Sequence, residues 1–181
     1  MTRFGYVMVT HFSVVTFTAL NFVSVTPRLI WNASASIPVG LYRLHKIDAP
    51  DVGDLVAVAP PEPIARYLAD RNYLPRKVPL LKYVAAFSGQ TICRTGTVIA
   101  IDGKDIATAL EYDRLGRDLP TWSGCHRLAG GEVFLLNADV PDSLDGRYFG
   151  VLSAEAILGA MTPIWTRDGG LSAVQAADHG H

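Results

Sequence analysis

Residues 80–87 read Leu-Leu-Lys-Tyr-Val-Ala-Ala-Phe, a dense apolar run with a single charged side chain in its third position. The run has the length of a β-strand. Because side chains alternate between the two faces of a strand, Leu80, Lys82 and Val84 share one face. The sequence therefore predicts a strand on which Lys82 has apolar neighbours on its own face.

A lysine in this position has two interpretations. Burial disfavours the ammonium ion and lowers the pKa of the amine, and a neutral lysine amine is able to act as a general base. Alternatively, Lys82 lies on an edge strand and extends its side chain along the sheet until the charge reaches water. Residues 80–87 alone leave both interpretations open.

Short strands and turns are predicted for most of the chain around this run. Asp102-Gly103, between two alternating segments, is typical of a type I′ hairpin turn. Helices are predicted at residues 62–74 and 154–161. The other predicted strands are residues 55–59, 98–101, 104–107, 132–137 and 147–152. This pattern favours a mainly β domain of several short strands with one or two short helices.

The N-terminal segment carries no charge from Phe4 to Val25 and is longer than the roughly 20 residues that span a bilayer. We interpret residues 1–25 as a single transmembrane anchor. Two other interpretations stay open. One is a cleaved signal peptide, for which Ala33-Ser34-Ala35 supplies the small residues that precede a cleavage site, and the other is a buried core element. The anchor and the signal peptide both place the rest of the chain outside the cytoplasm.

The rest of the chain divides into two parts. Residues 26–166 hold the predicted domain, and residues 167–181 are a tail rich in Gly, Ala, Asp and His that we predict to be disordered. The formal net charge is −1, so nucleic-acid binding has no electrostatic support. No Gly-rich phosphate loop, His-Glu-x-x-His or Cys-x-x-Cys motif occurs, so neither a nucleotide site nor a metal site is predicted.

Two serines precede a rigid segment near the start of the domain. Ser34 and Ser36 stand before Ile37-Pro38-Val39-Gly40, in which proline fixes the backbone and glycine permits the close approach of another group. A rigid extended segment is a suitable mount for a nucleophile, although serine needs a neighbouring base to take its proton. An ordinary polar loop is the alternative interpretation.

A third polar cluster lies at residues 142–150, which read Asp-Ser-Leu-Asp-Gly-Arg-Tyr-Phe-Gly. Ser143 and Asp145 have alternate spacing, so both side chains are able to point at one site. Asp145 and Arg147 are close enough in the chain to form an ion pair. A charged turn before a strand is the alternative interpretation.

Taken in order, these three segments resemble the signal peptidase I family, and within it the TraF-type peptidases of conjugative transfer systems. Residues 32–43 (Asn-Ala-Ser-Ala-Ser-Ile-Pro-Val-Gly-Leu-Tyr-Arg) resemble the serine motif of the TraF branch. By that resemblance, Ser36 is the nucleophile and the hydroxyl of Ser34 supports the oxyanion. Residues 79–92 resemble the lysine motif of the family, in which Lys82 takes the position of the general base.

Residues 143–150 resemble the Ser-x-Asp-Ser-Arg-x-x-Gly motif of the same family. The resemblance gives Ser143 and Asp145 supporting positions around the lysine, and it gives Arg147 a structural position. Two departures are visible in this region. Gly146 stands where the family usually has serine, and Asn137-Ala138-Asp139 replaces the Gly-Asp-Asn of many leader peptidases, which fits the TraF branch.

The resemblance implies a signal-peptidase-like β domain behind an N-terminal transmembrane helix, with the domain on the periplasmic side of the bacterial inner membrane. The implied activity is that of a serine endopeptidase with a Ser36/Lys82 dyad, which cuts exported protein precursors after small residues. In the TraF branch the substrate is a pilin or another component of a conjugative transfer (type IV secretion) system, and the product is in some cases cyclised. Neither a metal nor an organic cofactor is implied.

Cys93 and Cys125 are the two cysteines of the chain. Both lie in the part of the chain that we expect to be exported. An oxidising compartment favours a disulfide between them. Two buried free thiols are the alternative interpretation.

Two further interpretations assign the chain to other functional classes. A Ser-His-Asp hydrolase would use His45 or His126, although no Gly-x-Ser-x-Gly motif is present. A catalytically inactive, membrane-anchored assembly factor of the same secretion system would keep the fold without needing a neutral Lys82.

Overall fold

The computed structural model of this chain describes residues 3–20 and 28–171. The helices in these ranges are α1 (Arg3–Leu20), α2 (Glu62–Asp70) and α3 (Gly146–Phe149). The strands are β1 (Leu29–Asn32), β2 (Gly40–His45), β3 (Leu55–Val58), β4 (Leu80–Phe87), β5 (Thr91–Thr95), β6 (Val98–Ile101), β7 (Lys104–Thr108), β8 (Gly124–Arg127), β9 (Glu132–Leu136), β10 (Leu152–Ser153), β11 (Ile157–Thr166) and β12 (Gly170–Leu171). The prediction of a mainly β domain with a few short helices is confirmed.

The strands form two antiparallel sheets. The larger sheet has the order β1-β2-β11-β3-β4-β9-β10, with β12 beside β11, and the smaller sheet has the order β7-β6-β5-β8. β4 begins and ends at the residues predicted from the apolar run. It lies inside the larger sheet, with β3 on one side and β9 on the other. The edge-strand interpretation of Lys82 is therefore wrong, because β4 has a neighbour along both of its edges.

The sheet face that carries Lys82 is apolar, as the alternation of side chains predicts. Lys82 stands opposite Val56 of β3. A buried cluster covers this face, and its members are Val56, Val58, Val84, Val133 and Leu135. Burying an aliphatic side chain of this size stabilises a fold by roughly 1.5–3 kcal/mol. The cluster therefore fixes β4, and its members Val56 and Val84 are the neighbours of Lys82 on this face.

The smaller sheet contains the predicted hairpin. Asp102 and Gly103, which join β6 to β7, have φ angles of 48° and 80°. Both angles are positive, as a type I′ turn requires, so this prediction is confirmed. Cys93 of β5 stands opposite Cys125 of β8 in the same sheet, and the two form a disulfide bridge.

Two predicted elements near the end of the domain differ from the structure. Residues 147–152, predicted as a strand, form most of α3 and the start of β10, because the Asp145 carboxylate accepts a hydrogen bond from the Arg147 N–H and caps the helix. Residues 154–161, predicted as a helix, supply only a 3-10 turn at Ala154–Ala156 before β11 begins. β11 pairs with both β2 and β3, and this pairing overrides the local preference of its sequence.

Both ends of the chain lie partly outside the described residues. α1 covers most of the predicted anchor, and residues 21–25 fall outside the description. No helix in the described ranges combines the length and the apolar character needed to cross a membrane. The tail predicted to be disordered begins in ordered structure, because Gly170–Leu171 form β12 against the end of β11. Residues 172–181 lie outside the described ranges.

Replacing both Cys93 and Cys125 by serine is expected to lower the free energy of unfolding by roughly 2–4 kcal/mol, because the bridge joins residues 32 positions apart. Urea unfolding of the wild type and the double variant measures the difference. Dithiothreitol provides the control, since it should destabilise the wild type and leave the variant unchanged. Equal stability of the oxidised wild type and the variant would contradict this expectation.

Candidate active site

One buried amide holds the segment between β1 and β2, which carries the two predicted serines. Asn32 is the last residue of β1 and is 5% exposed. Its Nδ2 donates to the backbone carbonyl oxygens of residues 34, 37 and 38 at 2.8, 3.1 and 3.2 Å. Its Oδ1 accepts from the Ser34 backbone N–H at 3.1 Å and from the Ser34 hydroxyl at 2.8 Å. The amide therefore fixes the chain on both sides of Ser36.

These contacts determine the direction of the hydrogen bond between the two serines. The Oδ1 of Asn32 is an acceptor, so Ser34 uses its single hydroxyl proton there. The Oγ atoms of Ser34 and Ser36 are 3.0 Å apart. Ser36 is therefore the donor in that hydrogen bond, and its proton points toward Ser34.

Lys82 lies near the middle of β4 and is 3% exposed. Its Nζ donates a hydrogen bond to the Oγ of Ser143 at 2.7 Å. Burial lowers the pKa of Lys82 to about 8, against the opposing effect of the Asp145 carboxylate and with a smaller lowering effect from the Arg147 guanidinium. A large share of the amine is consequently neutral at mildly alkaline pH.

A buried ion pair lies behind this lysine. Arg147 is 1% exposed, and its Nε and Nη2 donate to the two carboxylate oxygens of Asp145 at 3.0 and 2.8 Å. The same guanidinium donates to the backbone carbonyl oxygens of residues 137, 140, 141 and 143. The loop of residues 137–143 is therefore wrapped around one cation, which holds Ser143 against Lys82.

Asn32 and Asn137 belong to this site, although the sequence motifs assign no role to either. Asn137 directly follows β9 and is 2% exposed. Its Nδ2 donates to the carbonyl oxygen of Ser36 at 2.7 Å and to that of Leu81 at 3.4 Å. Its Oδ1 accepts from the backbone N–H of Tyr83 at 3.2 Å. The available signal is that Asn32 begins the motif of residues 32–43 and that Asn137 ends the apolar strand predicted at residues 132–137.

Four of the predicted site residues, Ser34, Ser36, Lys82 and Ser143, line one cleft of about 780 Å³. Another wall comes from the end of α2, the residues that follow it, and the loop of residues 110–119. Leucines contribute apolar surface to this wall, and they are Leu68, Leu74, Leu110, Leu115 and Leu119. The cleft thus combines the candidate chemistry with apolar surface for a bound segment.

Hydrogen bonds join the two segments that form this wall. The carboxylate of Asp113 accepts hydrogen bonds from the Tyr73 hydroxyl and, at 2.6 Å, from the Nε of Arg117. Arg71 at the end of α2 donates to the backbone carbonyl oxygen of Asp118 at 2.7 Å. The segment after α2 and the loop are therefore joined directly, and the cleft has a defined width.

The remaining predicted residues lie away from the cleft. Asp145 and Arg147 are behind it, and neither His45 nor His126 lines it. The Nε2 of His126 is instead 2.8 Å from a carboxylate oxygen of Glu132. Neither of the two histidines that the Ser-His-Asp interpretation would use therefore lies at this cleft.

Known proteins share sequence with this chain over most of its length. The family model described as "Signal peptidase, peptidase S26" matches residues 1–166. A probable conjugal transfer protein TraF of Sinorhizobium fredii is 36% identical over 146 residues, which cover 75% of this chain and 76% of that one. A conjugal transfer protein TraF of Agrobacterium tumefaciens is 31% identical over 158 residues, with coverages of 82% and 88%. Among solved structures, a signal peptidase I from Enterococcus faecalis matches with a TM-score of 0.39 and 18% identity, over 65% of this chain and 100% of that chain.

Asp145→Asn is expected to lower the free energy of unfolding by about 3–5 kcal/mol, because it leaves the Arg147 guanidinium buried without its counter-charge. Asp142→Asn is the matched control in the same loop. Asp142 pairs with Arg114, whose side chain is 82% exposed, so a loss below about 1 kcal/mol is expected there. Urea unfolding of both variants compares the two, and an equally small loss in each would show that the buried pair does not stabilise the fold.

Proposed function

Because the chain belongs to the signal peptidase S26 family, we propose that it is a serine peptidase with Ser36 as nucleophile and Lys82 as general base. One observation carries the proposal. A lysine with its pKa lowered to about 8 lines the same cleft as a serine that is held in place by buried amides. A Ser/Lys dyad requires a neutral amine, because an ammonium ion is unable to accept the serine proton.

In the acylation step, the Oγ of Ser36 attacks the carbonyl carbon of the scissile peptide bond. The proton of Ser36 turns from Ser34 toward Lys82 and passes to its neutral Nζ. Ser143 accepts a hydrogen bond from Nζ, and this contact orients the amine for the transfer. The role of Ser143 is therefore to position the base, while Asp145 and Arg147 hold the loop that carries it.

The oxyanion of the tetrahedral intermediate is stabilised by the backbone N–H of Ser36 and the hydroxyl of Ser34. One such donor typically lowers the barrier by roughly 3–4 kcal/mol. To act in this way, the Ser34 hydroxyl rotates its proton away from Asn32 and toward the oxyanion. Protonated Lys82 then donates its proton to the leaving amine as the C–N bond breaks.

The acyl-enzyme on Ser36 is then resolved by a second nucleophile. Water, deprotonated by Lys82, gives a linear product and returns the free enzyme. The N-terminal amine of the substrate is the alternative nucleophile and gives a cyclic product. Both routes use the same dyad and differ only in what attacks the ester.

We place this activity in conjugative transfer, with an exported precursor such as a pilin as the substrate. The support is the similarity to relatives that are named conjugal transfer or plasmid transfer proteins. The leucines that line the cleft suit a precursor segment with apolar side chains.

We also propose that residues 1–25 attach the domain to the inner membrane and that the domain lies on the periplasmic side. α1 has no charged residue after Arg3 and exposes large apolar side chains, among them Phe4, Val7 and Phe12. A disulfide in the domain is in keeping with an oxidising compartment.

Ser36→Ala and Lys82→Ala are each expected to reduce processing of a co-expressed pilin precursor by at least about 10³-fold, since one lacks the nucleophile and the other the base. Ser88→Ala and Lys104→Ala change exposed residues outside the cleft and serve as matched controls, with processing at the wild-type rate. Intact mass of the product identifies the second nucleophile, because the cyclic product is lighter than the linear product by one water.

Two outcomes of this experiment would contradict the dyad. Normal processing by Lys82→Ala would show that another group takes the proton of the nucleophile. Failure of every form, including the wild type, to process any precursor would favour the inactive assembly factor.

The kcat/KM for peptide cleavage is expected to rise by about tenfold per pH unit up to about pH 8 and to level off above it, because Lys82 must lose its proton before it acts. The rise in kcat/KM ends at a pH below the usual pKa of a lysine because burial disfavours the charged amine. A fluorogenic peptide with alanines before the scissile bond, assayed from about pH 6 to about pH 10, measures the profile. A flat profile across this range would show that a different group is the base.

The full chain is expected to stay in the membrane pellet of expressing cells after an alkaline carbonate wash. A variant that lacks residues 1–25 should be released by the wash. Protease added to spheroplasts should digest the domain of the full chain, because it lies outside the cytoplasm. Recovery of the full chain in the soluble fraction, or protection from the protease, would refute the proposed location.

A further inference from the structure

The side chain of Asn137 contacts the backbone of both segments that carry the proposed dyad. Its Nδ2 donates to the carbonyl oxygen of Ser36 at 2.7 Å, across a separation of 101 residues in the chain. The same amide contacts the carbonyl oxygen of Leu81 and the backbone N–H of Tyr83. Leu81 and Tyr83 are the two chain neighbours of Lys82. One amide therefore holds the nucleophile and also holds β4 on either side of the base.

Two of these contacts add hydrogen bonds to β4 near the point where β9 ends. β9 ends at Leu136, which stands opposite Tyr83 of β4. Near that pair, the side chain of Asn137 accepts from the Tyr83 N–H and donates to the Leu81 carbonyl oxygen. The same Nδ2 also donates to the Ser36 carbonyl oxygen, so one amide joins β4 to the segment that carries Ser36.

Asn137 is itself fixed by the buried ion pair. Its backbone N–H donates to the Asp145 carboxylate at 3.1 Å, and its carbonyl oxygen accepts from the Nη2 of Arg147 at 3.1 Å. The residue is 2% exposed, and both ends of its amide have partners. A buried amide with its partners in place does not exchange them for water without cost. The Asn137 amide therefore holds the backbone of Ser36 in a fixed position.

We infer that Asn137 is a positioning residue that sets the placement of the Ser36 hydroxyl relative to the Lys82 amine. The inference rests on the dyad proposed above, and Asn137 itself does not touch the reacting atoms. Proton transfer needs the two heavy atoms within about 2.6–3.2 Å of each other. A displacement of about 1 Å from such a geometry costs roughly 10²-fold in rate.

A purely structural role for Asn137 predicts a different result. Asn32 holds the same loop independently, through the carbonyl oxygens of residues 34, 37 and 38. The loop consequently keeps its fold without Asn137 and loses only the hydrogen bond that joins it to the end of β9 and, through the same amide, to β4. The inference therefore predicts a defect in the chemical step, whereas a structural role predicts a loss of folded protein.

The test compares Asn137→Leu, which has a similar volume and no side-chain hydrogen bonds, with the wild type and with Val133→Ala. Val133 lies on β9 opposite Phe87, at the far end of β4 from Lys82, and it is 2% exposed. Its truncation therefore destabilises the same strand without touching the dyad. With the fluorogenic peptide, and at a temperature where all forms are folded, Asn137→Leu should lose about 10²-fold in kcat and change KM by less than about threefold. The midpoint of its pH profile should remain near that of the wild type, and Val133→Ala should keep the wild-type kcat.

A second readout needs no substrate. Amide hydrogen exchange of residues 33–37 should be faster in Asn137→Leu than in the wild type, and unchanged in Val133→Ala. Asn137→Ala, which adds no bulk, provides the same measurements if the leucine side chain prevents folding.

The outcomes separate this inference from the dyad on which it rests. If the wild type is active, Ser36→Ala is inactive, and Asn137→Leu and Asn137→Ala keep a kcat within about threefold of the wild type, the inference is overturned and the dyad stands. A fall in kcat that Val133→Ala shares to the same extent also overturns it. If the wild type and Ser36→Ala are equally inactive toward the peptide, the dyad fails and the inference fails with it.

Discussion

The pairing of the buried Arg147 guanidinium with the Asp145 carboxylate is the interaction on which the rest of the site depends. Removing two charges from water is costly, and an isolated buried pair does not always repay that cost. Here the cation also binds four backbone carbonyl oxygens, so its remaining donors have partners and the loop of residues 137–143 has one arrangement. Ser143 and Asn137 extend from that loop, one toward the proposed base and the other toward the proposed nucleophile. The ion pair therefore stabilises the geometry of the site as well as the fold.

The same two charges also shape the electrostatics of Lys82. The Asp145 carboxylate favours the ammonium form, whereas burial in the middle of the larger sheet and the nearby Arg147 favour the neutral amine. Because Arg147 binds both carboxylate oxygens, its positive charge offsets part of the effect of Asp145 on the pKa of Lys82. Burial is left as the dominant effect. A carboxylate is thus able to hold the loop without turning the proposed base into a permanent cation.

The sequence predicts those features that depend on neighbouring residues. The apolar run of residues 80–87 predicts the bounds of β4, and its alternation predicts the apolar face around Lys82. Asp102-Gly103 predicts the hairpin of β6 and β7, because the geometry of that turn depends on two adjacent φ angles. The resemblance of three motifs identifies four residues that line the cleft together. Alternation does not reveal that β4 has a neighbour on both sides, since that depends on the path of the whole chain.

The features that sequence reasoning missed depend on distant partners. Asn32 and Asn137 each look like ordinary loop residues until the segments that they bind are placed beside them. Residues 157–161, predicted as the end of a helix, form the start of β11 because β2 and β3 both pair with this part of the chain. The proposed nucleophile and base meet their supporting side chains across 101 and 61 residues respectively, so the site has a high contact order. A chain that is still being synthesised therefore lacks the assembled cleft until residues up to Leu144 have folded against the earlier strands.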